Sequence, residues 1–192
     1  MRFTKGRIQF IAEISGNHLG SLSRAKDLIK EAASAGATAV KLQTYTADTM
    51  TLDIDKFKVD IGHNLWGGRR LYDLYKEAYT PWEWHEELMQ VAKEEGLVCF
   101  SSPFDETAVD LLESLNCPFY KVASRDLTNL PLLEALGKTG KTIIISTGMA
   151  TYKDIDDALN ALDISNNKLI IMQCTSEYPC KPENVNLNAI KT

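Results

Sequence analysis

Apolar and polar positions follow two different rhythms along the chain, and the switch between them predicts the fold. "RIQFIAEIS" (7–15) is apolar and β-branched, a strand-like run. The "GNHLGSLSRAKDLIKEAASAG" that follows repeats apolar residues at Leu22, Ala25, Leu28, Ile29, Ala32 and Ala33. Steps of three and four residues predict a helix, capped by Ser21 and stopped by Gly36. "AVKLQTY" reads as a second strand, and "TPWEWHEELMQVAKEEG" as a helix with Pro81 in its first turn and Gly96 at its end. The alternation continues through strand "LVCFSS", helix "DETAVDLLESLN", strand "FYKVAS", helix "LPLLEALGKTG", strand "TIIISTG", helix "TYKDIDDALNALD" and strand "LIIMQCTS", with Asp105 and Thr151 placed as caps. Strands that alternate with helices form successive βαβ units and a parallel sheet. The connection 46–80 is too long for a plain βα loop. It contains "HNLWGGRRLYDLYKEA", which predicts a binding loop with its own short helix.

A parallel sheet is either open and doubly wound or closed as an eight-stranded barrel, and the strand ends discriminate. Every predicted strand delivers polar groups at its carboxyl end: Glu13 and Ser15, then Lys41, Gln43 and Thr44, then Ser101 and Ser102. Lys121 and Ser124, Ser146 and Thr147, and Gln173, Thr175 and Ser176 follow in turn. No glycine-rich dinucleotide fingerprint is present. An open sheet gathers ligand groups at one switch point, whereas a barrel collects them from all strands. The expectation is an α/β fold of (β/α)8 TIM-barrel type, incomplete, with about six βα units. Such barrels typically need ~250 residues, and the outer strands of a partial one would be open apolar edges. The chain stops at "NVNLNAIKT", inside the helix expected after the last strand. Residues 1–192 are therefore expected to be one C-terminally truncated barrel domain, a piece of a longer protein.

Composition narrows the function. At 192 residues with 44% hydrophobic content and a net charge of −5, the chain suits one soluble domain and offers no broad field to nucleic acid or an anionic membrane. An anionic ligand must be held by a local cluster of positive charge. No apolar run approaches ~18–20 residues. Cys99, Cys117, Cys174 and Cys180 lack zinc-like spacing, so a reduced cytoplasmic protein is the simplest reading.

The local cluster is anchored on two strand lysines, Lys41 and Lys121, each flanked by apolar residues. Burying an unpaired charge is costly, so each is expected to have a purpose. Two ammonium groups with the Ser102, Ser124 and Ser146 hydroxyls suit a phosphate plus a carboxylate. A desolvated Lys121 would also suit a Schiff-base aldolase, and a non-catalytic fragment that binds ligand or self-associates is a third reading. The aromatics Trp66, Tyr72, Tyr75, Trp82 and Trp84 either cover an apolar ligand face or, for Trp82 and Trp84, anchor a helix in the core.

"AEISGNHLGS", "VKLQTYTADTMT", "SSPFD", "YKVAS", "IISTGM" and "QCTSEYP" occur in an order and spacing that resembles the sialic acid synthase family. The "LWGGRRLYDLYKEAYTPWEWH" segment looks most like its pseudaminic acid synthases. The resemblance implies condensation of phosphoenolpyruvate with an N-acyl amino sugar to a nine-carbon acid with release of phosphate. It favours a diacetamido-trideoxy hexose over N-acetylmannosamine. Carried over by position, it makes Lys41 and Lys121 ligands of phosphoenolpyruvate, joined by Gln43, Ser102, Ser124 and Ser146. Ser176 and Tyr178 match positions lining the substrate site, and Asn17 and His18 match the loop after the first strand. There His18 faces the sugar or holds the loop. Asp126 stands where many members carry glutamate, and the resemblance implies a catalytic role for it beside Lys121; the plainer reading is a helix cap. Leu19 replaces an acidic residue common after the "NH" pair. The resemblance also implies a divalent metal, Mn²⁺ or Mg²⁺, whose histidine ligands match none of His18, His63 and His85. It implies a full-length homodimer with a C-terminal antifreeze-like domain absent here, and little activity for these residues alone.

Overall fold

The computed structural model describes residues 8–62, 66–163, 165, 168–177 and 179–191. Strands β1 (Ile11–Glu13), β2 (Ala39–Thr44), β3 (Val98–Pro103), β4 (Phe119–Val122), β5 (Thr142–Ser146) and β6 (Leu169–Met172) hydrogen-bond in sequence order as one sheet. The registered pairs β1·β2, β3·β4, β4·β5 and β5·β6 are all parallel. Helices α1 (Leu22–Ser34), α2 (Ala47–Met50), α3 (Leu71–Ala78), α4 (His85–Glu94), α5 (Glu106–Ser114), α6 (Leu130–Gly137) and α7 (Tyr152–Ala161) fill the connections. Sequential order with helical crossovers is what short right-handed βαβ units produce. The chain divides inside β3 into two compact units, Met1–Phe100 and Ser101–Thr192.

In the first unit the strands have two unlike faces. Ile14, Val40, Leu42 and Cys99 are buried with Ala25 and Ile29 of α1 and Leu88 and Ala92 of α4. Burying each large aliphatic contributes roughly 1.5–3 kcal/mol, so this layer fixes which side of β2 faces the helices. Alternation along a strand then sends Lys41 and Gln43 to the opposite side. Helix α1 begins where expected, with Ser21 Oγ accepting from the Arg24 N–H at 3.2 Å. β1 is shorter than the 7–15 run: Ile8 and Phe10 are 76% and 64% exposed, and only Ile11–Glu13 pair as a strand.

The connection 46–80 is a folded excursion carrying two helices, α2 and α3. Its centre is Arg70, whose guanidinium grips Asp73 with Nε to Oδ2 at 2.8 Å and Nη2 to Oδ1 at 2.7 Å, and Asp53 with Nη1 at 2.8 Å. Backbone bonds from Leu71 N to Phe57 O and from Val59 N to Arg69 O tie its two limbs together. The bidentate Arg70–Asp73 pair is local to the start of α3, and the Arg70–Asp53 contact reaches across to the other limb. His63 lies outside the described residues.

The second unit repeats the two-faced design. Tyr120, Val122, Ile143 and Ile145 are buried, and the Tyr120 hydroxyl donates to Glu113 on α5, so this face looks toward the helices. Asp105 and Thr151 cap α5 and α7, accepting from the Thr107 and Asp154 N–H groups at 3.1 and 3.2 Å. Asn129, rather than Asp126, caps α6, accepting from the Leu132 N–H at 3.4 Å. At the end of α6, a Cβ on Gly137 would lie 2.7 Å from the Leu162 carbonyl oxygen, so only glycine permits that approach. Beyond β6 the expected helix takes the form of two short 3-10 turns, Pro182–Asn184 and Leu187–Lys191. All four cysteines are free thiols, and among the described residues no helix is long and apolar enough to cross a membrane.

Candidate functional site

In the first unit, the register β1·β2 places Glu13 directly beside Lys41. Their side chains form an ion pair, with the Lys41 side chain 10% exposed and that of Glu13 37%. This is how a mostly buried strand keeps an amine: an adjacent carboxylate offsets the desolvation of the ammonium. Gln43 lies on the same face, half-buried. Pairing of the lysine with Glu13 was legible only once the register was known, because the two residues are far apart in sequence.

The loop after β1 is held by its own polar groups. The Asn17 amide donates to the Ile14 carbonyl at 3.1 Å, and the Asn17 carbonyl accepts from Arg24 Nε at 2.8 Å. His18 is fully buried. Its Nδ1 accepts the Gly20 N–H at 3.1 Å, so Nε2 carries the proton and donates to Thr80 Oγ1 at 3.3 Å. Its ring meets Trp84 edge-on with centroids 5.5 Å apart. Burial holds its pKa below the usual imidazole range, which favours the neutral ring that these bonds require. Both ring nitrogens are thus engaged within the loop and with Thr80.

His85 repeats the arrangement, a feature the sequence did not flag. Its Nδ1–H donates to the Pro81 carbonyl at 3.3 Å, and Nε2 accepts from the Thr44 hydroxyl at 2.8 Å. Thr44 thus anchors the carboxyl end of β2 to α4. Trp84 packs against the core, and Trp82 Nε1 donates to the Tyr45 carbonyl at 3.3 Å. Both tryptophans serve as anchors.

The second unit brings together more of the expected residues. Register aligns Lys121 with Ile144, so Lys121, Ile144 and Ser146 share the face opposite Tyr120 and α5. Ser101 aligns with Tyr120, which puts Ser102 on the Lys121 side. Ser102 and Ser146 are buried. Beyond the strands, Ser124 Oγ accepts the Gly148 N–H at 3.1 Å. A Cβ on Gly148 would collide with the Ser176 hydroxyl and lie 2.9 Å from Ser124 Oγ and 3.2 Å from the Cys174 carbonyl. The ends of β4, β5 and β6 therefore converge on a small polar cradle that exists because residue 148 has no side chain. The sequence reading had Ser124 and Ser176 but missed Gly148; its signal was a glycine directly after a polar strand end. Tyr178 lies outside the described residues.

Asp126 sits at the end of a 3-10 turn, Ser124–Asp126, with its side chain 9% exposed. Its Oδ1 lies 3.5 Å from Arg125 Nε, while its buried Oδ2 has no hydrogen-bond partner among the described residues. Burial raises its pKa above the ordinary carboxylate range, against the opposing pull of Arg125 and Lys121. A buried carboxylate with an uncommitted oxygen beside two cations is the arrangement expected of a proton-transfer group. Among the described residues no group of three or more His, Cys, Asp or Glu side chains could hold a metal ion.

Comparison with known proteins gives a consistent picture. A model described as the NeuB family matches residues 28–192. The pseudaminic acid synthase of Helicobacter pylori is 43% identical over 93% of this chain and 53% of its own length. That of Campylobacter jejuni subsp. jejuni serotype O:2 is 40% identical over 97% of this chain and 55% of its own. The chain thus spans about half the length of the curated relatives it matches. The crystal structure of the N-acetylneuraminic acid synthetase from Leptospira borgpetersenii serovar Hardjo-bovis superposes with a TM-score of 0.84 at 28% identity, covering 100% of this chain and 65% of that one. The six βα units are accordingly those of a TIM-barrel-type fold.

Proposed function

The chain belongs to the NeuB family, and from that premise we propose that the full-length protein condenses phosphoenolpyruvate with an N-acyl amino sugar to a nine-carbon sugar acid. The observation that carries this reading is the lysine each unit presents on the strand face away from its helices, Lys41 in one and Lys121 in the other. The 40–43% identity to pseudaminic acid synthases favours a diacetamido-trideoxy hexose as acceptor.

In this mechanism Lys41 and Lys121 offset the phosphate and carboxylate charge of phosphoenolpyruvate, and Gln43, Ser102, Ser124 and Ser146 donate hydrogen bonds to it. Fixing the enol in one orientation lowers the entropic part of the barrier. Its methylene carbon attacks the aldehyde carbon of the open-chain sugar, forming the new C–C bond. Water adds at the adjacent cationic carbon, and the tetrahedral intermediate collapses by breaking the C–O bond to phosphate. Asp126 moves the proton to or from the attacking water or the sugar oxygen. Asn17, Ser176 and Tyr178 meet the sugar, and His18 acts by shaping the loop that carries Asn17. A Mn²⁺ or Mg²⁺ ion belongs to the proposal for the full-length enzyme. Among the described residues no three or more His, Cys, Asp or Glu side chains are grouped to hold one. A homodimer and a cytoplasmic location complete the reading.

The test is to incubate the full-length protein with phosphoenolpyruvate and the diacetamido-trideoxy hexose, following phosphate and product mass. Stoichiometric phosphate with a nine-carbon acid is expected. Borohydride trapping of a pyruvate adduct on Lys121, with no phosphate released, would replace the synthase reading by the Schiff-base aldolase.

A further inference from the structure

Arg125 is the residue of the second unit whose placement the proposed chemistry leaves unexplained. Its side chain is 46% exposed, yet it is not loose on the surface. The guanidinium carbon lies 5.8 Å above the centroid of the Phe104 ring, itself buried at the end of β3. Its Nε reaches to 3.5 Å from Asp126 Oδ1. An aromatic face on one side and a carboxylate on the other hold a planar guanidinium in one orientation, which a flexible ammonium would not maintain. Among the described residues Asp126 is thereby addressed on Oδ1, leaving Oδ2 buried and without a hydrogen-bond partner.

We propose that Arg125 is a positioning residue: braced on Phe104, it fixes the rotation and the charge of Asp126 so that Oδ2 is the oxygen presented to the reacting proton. The inference rests on the assignment of Asp126 to proton transfer. The charged groups acting on Asp126 are Arg125, from the same turn, and Lys121, from β4. Burial works against ionisation of the carboxyl, and Arg125 is the larger of the two opposing charges. Arg125 draws the acid back toward ionisation; without it the carboxyl keeps its proton to higher pH and can rotate.

The test uses the full-length protein and two measurements. Carboxyl carbon NMR with labelled aspartate follows the titration of Asp126 without substrate, and the pH profile of kcat follows its use. In Arg125→Gln the Asp126 midpoint should rise by about one pH unit, with the acidic limb of the kcat profile moving by the same amount. Arg125→Lys, which restores charge without the planar fit on Phe104, should recover most of the midpoint but only part of kcat. An Asp126 midpoint unchanged in Arg125→Gln overturns the proposal. A midpoint that moves while the kcat profile stays put supports the coupling of Arg125 to Asp126 and overturns the catalytic assignment of Asp126 instead. Because Arg125 is half exposed, both variants should fold, which unchanged near-ultraviolet circular dichroism would verify.

Discussion

The two units treat their buried polar groups in opposite ways. In the first, Lys41 is paired with Glu13, and both nitrogens of His18 and of His85 are committed to neighbours. In the second, Asp126 Oδ2 and Asp105 Oδ1 are buried without hydrogen bonds among the described residues, and Ser124, Gly148 and Ser176 surround a cradle that a single methyl would fill. Buried groups left unsatisfied cost stability, so each calls for a physical explanation. The contrast is one of bonding: these groups of the first unit are engaged by neighbours, while two carboxylate oxygens of the second are not.

The sharpest break in the comparison is Asp126→Asn. It should cut kcat of the full-length protein by about 100- to 10,000-fold, while leaving thermal stability at neutral pH unchanged or higher. The folded state binds the Asp126 proton more tightly than the unfolded chain does, since burial raises its pKa from the ordinary 3.8. Ionisation therefore costs stability as pH rises through the folded value, and the amide removes that cost. Loss of both activity and stability would instead make Asp126 structural.

Gly148→Ala should come next. The new Cβ has no room beside Ser124 and Ser176, so the variant should lose about 1–3 kcal/mol in denaturant unfolding together with much of its phosphoenolpyruvate affinity. Full affinity in a stable variant would remove the cradle from the site. Lys41→Met should raise the KM for phosphoenolpyruvate by about 10- to 100-fold, with unfolding free energy within about 1 kcal/mol of wild type, because Glu13 is partly solvated and needs no partner. A variant that unfolds with unchanged KM would turn Lys41 into a structural ion-pair member. The smallest effect belongs to the histidines. Burial lowers the pKa of both His18 and His85 from 6.5, so the unfolded chain takes up protons that the folded first unit refuses. Stability should therefore fall as pH drops below 6.5, and a melting temperature flat across that range would show that neither ring is held neutral.

The βα alternation, the caps at Ser21, Asp105 and Thr151, and the polar strand ends were all determined by local sequence. Each depends on periodicity or on a side chain reaching a backbone group only two or three residues away. The face on which Lys41, Gln43, Lys121 and Ser146 stand was also implicit, because strand alternation leaves only one alternative once the apolar partners are buried. What tertiary structure alone decided was who meets whom. Glu13 beside Lys41, His18 against Thr80 and Trp84, and Gly148 between Ser124 and Ser176 follow from register and loop path. Those are set by the summed packing of distant segments, and no local pattern encodes them.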